Sequence, residues 1–155
     1  MSAGRRERGF TLAGMLIAVA LFGGGLAAYG ELASHAAQRE KERDLLFVGN
    51  QIRQASGAYY ERSPGGAKRF PQTLEDLLED KRYPMAQRYL RRLYPDPVTG
   101  KPEWGLIAAP GGGGIMGVHS LSQAAPIKSG GFDARDSALA GAARYADWQF
   151  SYAPR

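Results

Sequence analysis

This sequence predicts an α+β fold, one long N-terminal helix covering a small antiparallel sheet, and three observations predict it. Residues 10 to 30 read FTLAGMLIAVALFGGGLAAYG, 21 residues without a charge. Leu45, Val48, Ile52, Ala55 and Tyr59 then repeat at i, i+3, i+7, i+10 and i+14, which is one stripe of a helix. Beyond Pro64 that period stops, and short alternating stretches between Gly and Pro clusters take over, the pattern of strands in a small sheet. The chain accordingly divides into a leader (1–9), an apolar helix (10–30), its polar continuation (31–61) and a small α+β domain (62–155).

The uncharged run has the length a bilayer asks for. At ~1.5 Å per helical residue it spans about 31 Å, against a hydrocarbon core of roughly 30 Å. It is longer than the ~7–15 apolar residues of a cleaved signal peptide, and Ala27-Ala28 leads into more helix rather than into a break. Arg5, Arg6 and Arg8 precede it, so the expected topology is a single pass with a cytoplasmic N-terminus and an exported C-terminal domain. A generic uncleaved signal anchor satisfies the same residues.

The junction narrows this. Arg-Glu-Arg-Gly followed by Phe-Thr-Leu and about 20 apolar residues resembles the N-terminus of type IV pilins and type II secretion pseudopilins, over residues 5 to about 26. The resemblance implies a pilin-like fold and a prepilin peptidase that cuts between Gly9 and Phe10. It further implies N-methylation of Phe10. In that family the fifth residue of the mature chain is usually Glu, thought to neutralise the amine of a neighbouring subunit. Here that position is Gly14, and no carboxylate lies between Glu7 and Glu31. An unpaired charge in an apolar helix bundle is costly. The departure implies a minor or atypical subunit, near a filament tip rather than in its bulk. Gly23-Gly24-Gly25 read either as a flexible point or as small residues tolerated in a membrane helix.

From Glu31 the helix is expected to continue to about residue 61, where Ser63-Pro64-Gly65-Gly66 ends it. Residues 10–61 would then form one helix about 75 Å long. Arg39 to Asp44 form a mixed charged belt, read as a solvated face with pairing to neighbouring subunits as the alternative. His35 reads as a surface or packing residue. In the domain, Thr73 is expected to cap a short helix with Asp76 at N3 and Leu74, Leu77 and Leu78 inward. A second short helix is expected from Met85 to Leu93, with Arg88, Arg91 and Arg92 solvated.

Tyr94 to Pro102 is turn-rich, and Glu103 to Ile107 is a strand candidate. YPDPVTGKPEWGLI resembles the segment of major pseudopilins that leads into the first strand of the sheet. Ile115 to Leu121 is the next candidate, with Met116, Val118 and Ser120 on one face. Asp147 to Tyr152 alternates polar and aromatic residues as a half-buried final strand does. Three or four antiparallel strands are expected.

Composition removes several functions. The chain has 155 residues, no cysteine and two histidines, so disulfides, thiolate chemistry and Cys-based zinc sites are excluded. The net charge is +5, of which the leader supplies two units; the remainder is scattered, and no nucleic-acid footprint is read from it. Gly111 to Gly114 lack the Lys-Ser/Thr of a phosphate loop. Ser120 beside His119 is not a triad and no nucleophile elbow exists, so no enzyme, catalytic residue or cofactor is expected. Major pseudopilins hold calcium in a C-terminal loop, where this chain has Asp133 and Asp136. Two carboxylates fall short of the six to eight oxygens calcium takes, so an Asp-rich turn is expected and no metal.

The function these readings imply is structural. The chain would be a pseudopilin of a type II secretion pseudopilus, acting in protein transport. Its partners would be prepilin peptidase, other pilin-like subunits and the inner membrane, with its domain in the periplasm. A minor type IV pilin is the first alternative; a signal-anchored periplasmic binding or enzymatic domain that never assembles is the second.

Overall fold

Helix α1 runs from Arg8 to Glu61, and its second half carries the stripe that the spacing predicts. Leu45, Val48, Ile52, Ala55 and Tyr59 are all 7% exposed or less, so the five positions face one core. Burying each of the larger side chains contributes about 1.5–3 kcal/mol. The computed structural model describes residues 8–154, and side chains at 12–21 and from 32 onward. The first seven residues of the leader lie outside these. The chain divides into two compact units between Gln38 and Arg39.

In the first unit α1 is helical throughout the described residues. Leu12, Met15, Leu16, Ile17, Val19 and Leu21 are exposed. No helix among the described residues is long and apolar enough to cross a membrane; the uncharged run 10–30 falls partly outside the side chains described.

In the second unit the sheet has three strands, β1 (Gly105–Ala108), β2 (Ile115–His119) and β3 (Gln149–Ser151), in the order β1-β2-β3, both pairs antiparallel. Leu106 pairs with Val118, and Val118 with Phe150. Val118 and Phe150 are fully buried, and Trp148 precedes Phe150 on the same face. The final strand thus alternates as expected, while β1 starts at Gly105 rather than Glu103 and β2 ends before Leu121, which is exposed. A register shift at Ile107/Ala108 marks the irregular end of β1.

Two glycines let the sheet approach α1. The Phe150 ring lies against Gly49 and the Tyr152 ring against Gly57, each closer than any added methyl group would permit. Trp148 completes the core by meeting Tyr145 and Phe132 edge-on, each at 5.4 Å between ring centroids.

The short helix after Thr73 is a 3-10 turn, Leu74–Leu77, with Leu77 buried. Asp76 Oδ2 accepts from the backbone N–H of Thr73 at 3.0 Å and of Gln72 at 2.9 Å, so the expected N3 role is filled. The second short helix is a correction. Residues 85–93 are not helical: Asp80 and Gln87 form a bridge, and the N–H groups of Tyr89 and Leu90 both donate to Leu77 O at 2.9 Å. Those donors satisfy the end of the 3-10 turn instead of a helix of their own. This is a tertiary gain that outweighs local propensity.

Candidate functional site

Gly9 and Phe10, the expected processing junction, fall in the first turn of α1. Arg8, Gly9 and Phe10 are helical, and their side-chain surroundings lie outside the described residues. Gly14 is helical too, and a Cβ placed there would meet nothing within 4 Å. A larger residue at this position would therefore meet no obstacle within its own chain.

In the second unit the charged residues that the spacing left ambiguous act as clamps between α1 and distant loops. Glu42, expected in the solvated belt, is instead buried. Its Oε1 accepts from the backbone N–H of Ile127 at 2.5 Å and of Lys128 at 3.2 Å, and from the Tyr145 hydroxyl at 2.9 Å. One carboxylate oxygen thus ties the loop at 127–128 and the core tyrosine to the helix, and the donors offset its desolvation. The signal for this was available, because Glu42 lies three residues before Leu45 and continues the buried stripe.

A second clamp lies two turns on. Asp136 is buried and its Oδ2 accepts from Asn50 Nδ2 at 2.9 Å, while Oδ1 lies 3.0 Å from Arg53 Nη2. Arg53 Nη1 donates to Arg135 O at 2.9 Å, and the Arg53 guanidinium stands over the Phe150 ring. The cation facing Asp136 is therefore a guanidinium. Asp133 is exposed, and the two aspartates do not converge on one point with a third ligand. Among the described residues no group of three or more His, Cys, Asp or Glu is placed to hold a metal.

A third clamp explains Ser120. Its hydroxyl donates to Asp96 Oδ2 at 2.6 Å, both residues being fully buried, and Asp96 Oδ1 accepts from Val98 N at 2.9 Å. The proline-rich turn is thereby fastened to the end of β2, with Trp104 Nε1 donating to Tyr94 O at 2.8 Å beside it. His119 lies beside Ser120 in sequence only; its Nδ1 is 2.9 Å from Ser120 O, not from the hydroxyl.

The fourth cluster closes α1. Arg82 donates through Nη2 to Tyr59 O at 2.9 Å and through Nη1 to Ser63 Oγ at 2.7 Å, so it supplies donors to the helix's last turn. It pairs with buried Asp80 at 2.7 Å and stacks on the Tyr59 ring at 3.5 Å. Burial pushes the Asp80 carboxyl up, but the hydrogen bonds from Arg82 and Tyr89 outweigh it and hold the group below its ordinary value. Burial and the Asp80 hydrogen bond push the Tyr89 hydroxyl up to about 12. At the surface, Glu61 receives Lys68 and the Tyr152 hydroxyl, and both hold its carboxyl low.

His35 is exposed, as are Arg88, Arg91 and Arg92. Gly111 to Gly114 form a tight connection from β1 to β2, whose Gly114 O accepts from Ala109 N at 2.8 Å. No family model, curated protein or solved structure matches this chain.

Proposed function

We propose that this chain is a structural, pilin-like subunit, a minor or atypical pseudopilin of a type II secretion pseudopilus. The single observation that carries the reading is the Gly9–Phe10 junction, a basic leader ending in glycine before an uncharged helical run. What supports it further is the division of labour along α1. Its apolar first half would pass through the inner membrane, and its second half buries a stripe against a small sheet. A subunit of this kind has no reactive chemistry of its own, and the clamps at Glu42, Asp136, Asp96 and Arg82 serve to hold a domain rigidly on its helix.

On this reading prepilin peptidase removes residues 1–9, and Phe10 is methylated. The domain stands in the periplasm while the N-terminus remains on the cytoplasmic side. Helix packing among small residues then drives assembly with other pilin-like subunits. The segment YPDPVTGKPEWGLI and the lack of a C-terminal cysteine pair favour the secretion machine over a type IV pilus. Gly14 leaves the Phe10 amine without a carboxylate in its own chain for the length of the apolar run. A neighbour must supply one, or the amine must stay near the headgroups. That is why the subunit is read as minor.

The test is the mature N-terminus. Intact-mass measurement and N-terminal sequencing of membrane-purified protein should find Phe10 first, with one added methyl group. A chain beginning at Met1, or one cut beyond residue 25, would sink the reading.

A further inference from the structure

One surface of the second unit borders the Glu42 clamp and presents side chains that the clamp does not use. A cavity of about 510 Å³ opens between α1 and the 127–128 loop, lined by Arg39, Glu42, Arg43, Leu46, Ile127 and Lys128. Its walls are apolar at Leu46 and Ile127 and cationic at Arg39, Arg43 and Lys128. Its one acidic residue, Glu42, is turned into the fold, where its Oε1 is occupied by three donors.

None of the three cations holds an ion pair among the described residues. The ion pairs found there belong to Arg53, Lys68, Arg82 and Arg144, and the Lys128 ammonium stands over the Phe132 ring, at 5.0 Å from its centroid. Arg39, Arg43 and Leu46 follow i, i+4 and i+7 on the cavity face, while Glu40 and Asp44 each turn away by about 100°. Three free cations beside two apolar side chains complement an anion carried on an apolar body.

We propose that this cavity binds the headgroup of an anionic phospholipid. The inference rests on the membrane-anchored reading above, because only an anchored chain meets lipid here. In sequence Arg39 comes nine residues after Gly30, about 14 Å of helical rise. The interfacial zone adds roughly 5–7 Å beyond the hydrocarbon, and an arginine that snorkels toward it covers most of the rest. A tilted helix shortens the distance further. Basic side chains at this depth attract acidic lipid by proximity, and their effect fades within a Debye length. The lipid would hold the domain at a fixed height over the membrane before assembly.

The experiment uses the full chain in a zwitterionic detergent. Dihexanoyl phosphatidylglycerol, dihexanoyl phosphatidylcholine and inorganic phosphate are titrated separately, and bound ligand is read by native mass spectrometry. Phosphatidylglycerol should bind, and the phosphatidylcholine of matched chain length should bind at least about tenfold more weakly. The Arg39→Gln/Arg43→Gln double variant should lose about tenfold or more in phosphatidylglycerol affinity. Lys128→Gln should lose less, and Arg88→Gln/Arg91→Gln should match the parent chain. Circular dichroism of each variant identifies any that fails to fold, and Lys128→Gln alone then carries the comparison.

Equal binding of the two lipids, or no loss in both Arg39→Gln/Arg43→Gln and Lys128→Gln, overturns the proposal. Free phosphate binding as tightly as phosphatidylglycerol overturns it too, since the apolar walls would then contribute nothing. Because short-chain lipid needs neither peptidase nor assembly, the outcomes separate. A chain cut at Phe10 that binds no lipid keeps the pilin-like reading and loses the cavity, and an uncut chain that binds lipid does the reverse.

Discussion

The two halves of α1 share a backbone conformation and differ in what their apolar side chains do. Leu12, Met15, Leu16, Ile17, Val19 and Leu21 are 61–72% exposed, whereas Leu45, Val48, Ile52, Ala55 and Tyr59 are 0–7% exposed. The first set surrounds the helix and the second forms one stripe. A stripe needs a single complementary surface, which β2 and β3 supply from the same chain. A helix that is apolar on every side has no such partner in a small sheet and calls for lipid or other helices around it. The contrast teaches that helicity is common to both halves, and the distribution of apolar residues around the axis decides where each half finds its environment.

The largest effect that would test this contrast is a core truncation on the sheet side. Phe150→Ala removes the ring that lies against Gly49, and should destabilise the domain by about 3–5 kcal/mol. Leu16→Ala, a truncation of a large apolar side chain in the exposed half, should leave domain stability within roughly 0.5 kcal/mol. Urea unfolding followed by tryptophan fluorescence measures both, since Trp148 lies in the core. If the two substitutions cost the same, the halves are not distinct in the way proposed.

A smaller effect sharpens the boundary of the buried half. Glu42→Ala leaves the N–H groups of Ile127 and Lys128 and the hydroxyl of Tyr145 without their acceptor, at a cost of about 2–3 kcal/mol. Hydrogen exchange at residues 127 and 128 should accelerate, and Glu42→Gln should recover part of the loss by restoring an acceptor. Unchanged exchange at these two amides would place Glu42 with the solvated belt after all.

The smallest effect is a pH dependence at the far end of α1. The folded Asp80 carboxyl is held below its ordinary value of 3.8 by Arg82 and Tyr89, so the unfolded chain takes up the proton first. Its contribution is fully present above that ordinary value and is lost as pH falls through the lower, folded value. Tyr89 works at the other extreme. Its hydroxyl is raised from 10 to about 12, so stability falls between those two values as the unfolded chain loses its proton first. Acid and alkaline unfolding curves of the parent chain and Asp80→Asn should differ at low pH, with the variant flatter there. Parallel curves below pH 4 would remove Asp80 from the cap of α1.

Part of this fold was legible before any coordinates. The five stripe residues, the stop at Ser63-Pro64, the Asp76 cap and the inward aromatics of the last strand all follow from spacing or turn chemistry within a few residues. The helix expected over Met85–Leu93 failed because its backbone donors are claimed by Leu77 O, a contact that no local propensity encodes. The charged belt was legible as a belt, and the register of the stripe carried the signal that Glu42 turns inward, but the open cavity lined by Arg39 and Arg43 was not legible, because its other wall comes from residues 127 and 128.

The sequence by itself determined the α+β class and the course of the long helix, and it alone carries the Gly9–Phe10 pattern on which the proposed function rests. These depend on periodicity, charge placement and Gly/Pro chemistry, which are local properties of a chain. Only the tertiary structure decided which polar side chains become clamps. Glu42 meets residues 85 and 103 positions away, Asn50 meets Asp136 across 86, and Ser120 meets Asp96 across 24. A buried carboxylate or hydroxyl is stable only where donors or acceptors from another segment arrive at hydrogen-bond distance. Which segments arrive is set by how the sheet packs on the helix, through close approaches such as Phe150 on Gly49.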